Sequence, residues 1–321
     1  MNIASSYWEK AYFDKGFNRA EWQAHPLTLK RLWELQGGSS REDWFFRTYL
    51  ESKPIRKAVS IGAGRAETEI EMLRKGYVEH FVLIDITAAG IEYAKHRAGE
   101  LGFGDRVTCR VVEPGTPSLE REEYDLAMFV ASLHHMSDVP ASIKSVLKGV
   151  IPGGHLWCAN EYIGPNRFNY PKDHVRVTKA YYDLLPTDLC KHGRKELVLP
   201  TPDEVAEADP SEAPHSEEIL KVFASIAPLY ELTPLYGSFA FIIFWGLNHD
   251  ALYETDEGKR LMEEILRFDR SLVDGGVLPN YFCHLVAKKY TPRQNVAHRI
   301  GIASDGALYK GLSSWRKRIG I

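Results

Sequence analysis

The residues best suited to chemistry sit in three short stretches. "ASLHHMSD" places His134 and His135 side by side. "NEYIGPNRF" holds Glu161, Tyr162 and Arg167, with His174 a few residues on. An imidazole titrates near neutral pH and a carboxylate can be tuned towards it, so either can take a proton from a hydroxyl under attack. Neighbouring residues after a strand point in different directions, so one histidine of the pair is expected to face the reacting group. His135, His134 and Glu161 are the candidate bases. Tyr162, Arg167 and His174 are expected to touch the substrate. A paired-histidine metal site lacks a third ligand at a recognisable spacing, so no metal is expected.

The third stretch is "VSIGAGRAETEI", Val59 to Ile70, an apolar run broken by two glycines and followed by helix formers. A buried strand that turns tightly into a helix reads this way, and three ligand classes compete for the turn. A triphosphate loop needs GxxxxGK[ST], which does not occur here. A dinucleotide turn needs GxGxxG, and the place of its third glycine is Glu67, an acid that would repel a pyrophosphate. An adenosyl group without phosphate needs the close backbone approach that glycine permits, but no anion site. It also needs an acceptor for its ribose hydroxyls at the end of the next strand. "VLIDI" supplies Asp85, whose competing role is to cap the helix that begins near Ala88.

The elements that would position these residues follow from the apolar pattern. From 57 to 164 strands and helices alternate: "KAVSIGAG", "AETEIEMLRKG", "HFVLIDI", "AAGIEYAKHRAGEL", "RVTCRVVE", "YDLAMFVASL", "VPASIKSVLKGV" and "GHLWCANEYIG". Gly76 and Gly102 stop two of the helices. Such alternation means right-handed crossovers and a mostly parallel, doubly wound sheet covered on both faces, an α/β fold. Two or three amphipathic helices precede the first strand. After Gly164 come a helix around "HVRVTKAYYDLLP" and a run at 203–218 with seven Asp or Glu and no Lys or Arg, read as a solvated loop. A helix capped by Ser216, a strand at "YELTPLYGS", a helical insertion and a last strand at "YFCHLVAKKY" complete the chain before its basic end.

These stretches together resemble the class I S-adenosylmethionine-dependent methyltransferases. "VSIGAGRA" resembles the first motif of that family, "VLIDI" the second, "RVVEP" the third, "YDLAMFVASLHHMSD" the fourth, and "LKGVIPGGHLWCANEY" the stretch around the fifth strand. The resemblance implies a Rossmann-like sheet of seven strands with the last antiparallel, and S-adenosylmethionine as cofactor. It implies that Gly62, Ala63 and Gly64 line the cofactor, with Ser60, Ile86 and Ser132 beside them, that Asp85 binds the ribose and that Glu113 lies near the adenine. Two positions depart from the family pattern: Ser60 stands where an acid is common, and Ala66 where a third glycine is. "EYIGPNRFNYP" and "DPSEAPHSEEIL" also resemble a bacterial subgroup found with polysaccharide and secondary-metabolite pathways.

The expected organisation is an N-terminal helical cap over 1–52 and a methyltransferase domain over 53–290, followed by a basic tail over 291–321. Insertions at 165–215 and 240–275 form the lid and acceptor pocket. Tyr12, with Tyr7, Trp8 and Phe13, is expected to wall that pocket. The expected reaction is methyl transfer to a hydroxyl, or second to an amine, of a small metabolite or sugar. A non-catalytic cofactor-binding module and an NAD-dependent oxidoreductase are the alternatives. A formal net charge of −3 over 321 residues does not suit nucleic acid as a partner. The longest apolar run, "FAFIIFWGL", is too short for a membrane span, and four scattered cysteines without a CxxC pair fit a reducing cytoplasm.

Overall fold

The computed structural model describes residues 21–227 and 230–299. Tyr7, Trp8, Tyr12 and Phe13, and most of the basic tail, lie outside them. Ahead of the sheet, Trp22–Ala24 form one 3-10 turn, followed by α1 (Pro26–Leu35) and α2 (Arg41–Thr48). The alternating core is β1 (Ile55–Ile61), α3 (Glu67–Arg74), β2 (Val78–Asp85), α4 (Ala88–Glu100), β3 (Val107–Val111), β4 (Tyr124–Val130), α5 (Val139–Gly149) and β5 (Val150–Tyr162). The first insertion holds α6 (Lys172–Tyr182) and α7 (Pro202–Ala208), and α8 (Ile219–Ile226) leads to β6 (Tyr230–Tyr236). The second insertion is α9 (Ala240–Phe244), α10 (His249–Glu254) and α11 (Asp256–Asp274), followed by β7 (Phe282–Lys288) and α12 (Pro292–Arg299).

The seven strands form one sheet in the order β3-β2-β1-β4-β5-β7-β6. β1 to β5 are parallel, while β7 runs antiparallel to both of its neighbours. The expected fold class, including the antiparallel last strand, is therefore observed. Alternate residues of β1 serve opposite faces, as a strand requires. Val59 and Ile61 join Phe129, Ile143 and Phe223 on one side, and Ala58 joins Phe45, Met72 and Trp157 on the other. Phe45 of α2 stacks on Trp157 with ring centroids 4.2 Å apart, which fastens the N-terminal helices to the sheet. A third core joins Trp22 to the insertions through Tyr162, Tyr182, Phe239, Ile265 and Phe282. The run "FAFIIFWGL" is the buried helix α9 of this core.

Two expectations at the first insertion are corrected. Ser216 does not cap a helix; its Oγ donates to the Gly164 carbonyl 2.8 Å away, and a 3-10 turn over Ser216–Glu218 precedes α8. The acidic stretch is not a solvated loop throughout. Thr201 and Glu204 close a capping box on α7, and the chain then folds inward, burying Asp209, Ala213 and Ser216.

Two buried histidines make stability depend on pH. Burial, then Arg41, pushes His284 down to about 3, and burial, then Lys288, pushes His155 down to about 4 against the opposing charge of Glu51. Unfolded, each should titrate near 6.5. Below that pH the unfolded chain binds more protons than the folded one, so the stability present above it is lost as pH falls towards the folded values. Urea midpoints should drop steadily from pH 7 to pH 4, and His284→Asn should flatten that slope. An unchanged slope would show that His284 is not held neutral.

Candidate active site

β1 delivers the glycine turn at the carboxyl edge of the sheet. The N–H groups of Gly62 and Ala63 donate to the Ile84 carbonyl at 2.9 and 3.1 Å, which ties the turn to β2. Gly62 has φ +66°, and a Cβ there would stand 2.8 Å from the Ser132 Cβ, so only glycine fits. Ser132 in turn donates from Oγ to the Ile61 carbonyl at 2.7 Å. The turn and the end of β4 are thus in direct contact.

Asp85 ends β2 and organises the same turn. Its Oδ2 accepts from the Gly64 N–H at 2.7 Å, and its Oδ1 accepts from the N–H and Oγ1 of Thr87 at 2.9 and 2.7 Å. Thr87, not Asp85, is the N-cap of α4, and Asp85 holds the N–H and hydroxyl of that residue rather than capping the helix itself. Ile86 is half-buried beside it, and Glu113 is exposed just beyond β3. Val111 and Val112 at the end of β3 are 53% and 40% exposed, and the Val112 N–H is bonded to the Asp85 carbonyl. They form an apolar face of the kind a flat ring would cover, next to the carboxylate. Glu67 points largely to solvent, 3.7 Å from the Arg65 guanidinium.

Ser60 is buried, and its Oγ donates to Glu69 at 2.5 Å. Burial raises the Glu69 carboxyl, against the bond from Ser60. A carboxyl group therefore stands behind the turn after all, carried by α3 rather than by β1. Ala66 holds its left-handed position at φ 53° without glycine.

Beyond Ser132, the 3-10 turn Leu133–His135 presents both histidines, with rings 4.2 Å apart. A bulge in β5 at Asn160, with φ +52°, aims Glu161 beneath them. Glu161 is fully buried and accepts from the backbone N–H of Leu133 at 3.2 Å, that of His134 at 2.8 Å and the His134 Nδ1 at 2.6 Å. The other side of the pair meets the inward loop after α7. His134 Nε2 is 3.8 Å from Glu212 Oε1, and His135 Nε2 is 4.0 Å from Glu212 Oε2. His135 Nδ1 donates to the Ser211 carbonyl at 3.1 Å and lies 4.0 Å from Asp209 Oδ2. Burial alone would lower His134, but Glu161, then Glu212 and Asp209, raise it. Burial, then the charge on His134, lowers His135 against Glu212 and Asp209.

The side chains expected to touch the acceptor divide. Arg167 Nη1 donates to the carbonyls of Asp209 and Glu212 at 3.0 and 2.7 Å, and Nη2 to that of Pro210 at 2.5 Å. It clamps the loop that carries Glu212. Tyr162 commits its hydroxyl to the Pro165 carbonyl at 3.0 Å and offers its ring, edge-on to His134. His174 meets the Tyr281 hydroxyl at 2.5 Å. Glu212, Asp209 and Glu69 escaped the sequence reading. The first two lay in the acidic run, and its prolines were the one available sign of a shaped loop.

This sheet order, with a glycine turn after β1 and an acid at the end of β2, defines the class I S-adenosylmethionine-dependent methyltransferase fold. Residues 59–158 match the family model described as a methyltransferase domain. Among solved structures, geranyl diphosphate C-methyltransferase from Streptomyces coelicolor A3(2) is similar at 15% identity and TM-score 0.51, covering 89% of this chain and 96% of that one. Phosphoethanolamine N-methyltransferase 2 from Haemonchus contortus is similar at 12% identity and TM-score 0.51, covering 88% of this chain and 60% of that one. No curated protein matches the sequence. Among the described residues, no helix is long and apolar enough to cross a membrane.

Proposed function

We propose that the protein transfers a methyl group from S-adenosylmethionine to a hydroxyl, or second to an amine, of a small molecule or sugar. The observation that carries this reading is the contact between Gly62 and Ser132. It makes the glycine turn continuous with the buried histidine–carboxylate cluster two residues further on, in the 3-10 turn after β4. The residues fit the cofactor: the turn bars side chains where the cofactor must approach, Asp85 retains lone pairs for ribose hydroxyls, and Val111 and Val112 offer a face for adenine. Bound there, S-adenosylmethionine supplies an electrophilic methyl on a sulfonium that departs uncharged.

The chain must then hold the acceptor in line, exclude water and receive a proton. Glu161 is fully buried and already holds three N–H donors, so it positions His134 rather than touching the acceptor. His134, His135 and Glu212 form the face that receives the acceptor's proton, beneath a loop that Arg167 holds shut. Tyr162 and its aromatic neighbours supply a dry wall.

Calorimetry should show S-adenosylmethionine and S-adenosylhomocysteine binding, with NAD silent. Methyl-labelled cofactor should pass label into a small-molecule or oligosaccharide fraction of a metabolite extract. Tighter binding of NAD would overturn the reading. Cofactor binding with no labelled product in any fraction would favour the non-catalytic module.

A further inference from the structure

We propose that His134, His135 and Glu212 bind a divalent first-row transition-metal ion of the zinc, iron or cobalt type. Potential ligand atoms of these three side chains lie within 4.8 Å of one another. Around an ion with bonds of about 2.1 Å, tetrahedral ligand atoms stand about 3.4 Å apart. The imidazoles stand 3.8 and 4.0 Å from the two different oxygens of Glu212, and with one ligand atom of each residue within 4.8 Å of the others the separations must close by about half to about one and a half ångström to reach that spacing. The two oxygens of Glu212 face different histidines, so one carboxylate spans the pair.

What stands behind each ring is the stronger argument. A metal-ligating histidine presents one nitrogen to the ion and donates the other N–H to a carboxylate or a carbonyl, which fixes its tautomer. Both rings have this arrangement. Glu161, fully buried, takes the His134 Nδ1–H at 2.6 Å and turns Nε2 towards Glu212. The Ser211 carbonyl takes the His135 Nδ1–H at 3.1 Å and turns that Nε2 towards Glu212 as well.

An independent sign comes from Asp209, which is 3% exposed. Its Oδ1 is held by the N–H and Oγ of Ser211, while its Oδ2 has no hydrogen-bond partner among the described residues and lies 4.0 Å from His135 Nδ1. Three buried or half-buried carboxylates thus surround two imidazoles. The nearby Arg167 guanidinium bonds the backbone carbonyls of this loop, not its carboxylates. A cation between the rings and Glu212 would balance that charge. Two nitrogens and a carboxylate are a borderline donor set, which suits zinc or iron and does not suit magnesium.

The ion would occupy the same side chains that the proposed function gives to the acceptor's proton, but its binding is read directly, so its test needs no acceptor and its failure leaves the methyl-transfer reading standing. Untagged, full-length protein is stripped with chelator and titrated with cobalt(II), with binding read by the visible ligand-field bands and by calorimetry. One cobalt per chain is expected, displaced by zinc and not by magnesium. His134→Ala, His135→Ala and Glu212→Gln should each abolish the bands, and Glu161→Gln should weaken binding by about 10–100-fold. Glu212→Gln guards against a folding artefact, because Arg167 holds the backbone of that residue rather than its carboxylate. His96→Ala, at an exposed histidine on α4, should change nothing. No stoichiometric cobalt binding would overturn the site. So would cobalt bands that survive in folded Glu212→Gln, or binding of magnesium alone.

Discussion

Glu161→Ala is expected to lower stability by about 3–5 kcal/mol, the range for removing one partner of a buried ionic pair. The substitution strands the N–H groups of Leu133 and His134 and the His134 Nδ1–H, all of which now end on one fully buried carboxylate. Glu161→Gln should lose less, because its one amide oxygen can still accept from the N–H and Nδ1–H of His134, as Oε1 does in the native protein, while the Leu133 N–H loses its acceptor and the His134 ring its charged partner. Cofactor affinity should be nearly untouched in the glutamine variant, since Glu161 bonds neither the 62–64 turn nor Asp85. Denaturant midpoints and cofactor titrations on the two variants check this. A Glu161→Ala protein as stable as the native one would remove the buried pair from the account.

Much of this site was readable from the sequence where local pattern decides structure. The period-2 and continuous apolar runs predicted the strands, and the glycines at 62, 76 and 102 predicted the turns, because a positive φ has a local signature. That the glycine turn after β1 and Asp85 at the end of β2 share one edge of the sheet followed from strand-end positions alone. What escaped depends on distant partners. Nothing around "ADPSEAP" shows that Arg167, far earlier in the chain, will take three of its carbonyls and hold Glu212 above the histidines. Nothing in "ETEIEML" shows that Glu69 will turn inward to Ser60. Glu161 read as a base because carboxylates at strand ends usually face a pocket. The bulge at Asn160 instead buries it, and a bulge that needs a non-glycine residue at φ +52° has no sequence signature. The same gap hid Glu212 beside the histidine pair: a third group was sought by spacing, and it arrives by tertiary folding.

Asp85→Ala should weaken cofactor binding by at least the loss of one charge-assisted hydrogen bond, about 1.5–3 kcal/mol, or roughly 10- to 150-fold. The structure adds a second reason for the loss. Oδ2 holds the Gly64 N–H and Oδ1 holds Thr87, so alanine also frees the turn that the cofactor must meet. The two contributions separate with a ligand that lacks the ribose hydroxyls. If Asp85 accepts from those hydroxyls, native protein should bind S-adenosylhomocysteine more tightly than its 2′,3′-dideoxy analogue, and Asp85→Ala should erase most of that preference. If Asp85 acts only by shaping the turn, the substitution should weaken both ligands by the same factor. Asp85→Asn sharpens the comparison, because one amide oxygen can keep either the Gly64 bond or the Thr87 pair but loses the charge that strengthens both. Titration of both ligands against the three proteins closes a double-mutant cycle. A coupling near zero would take the ribose away from Asp85 and leave it the turn alone.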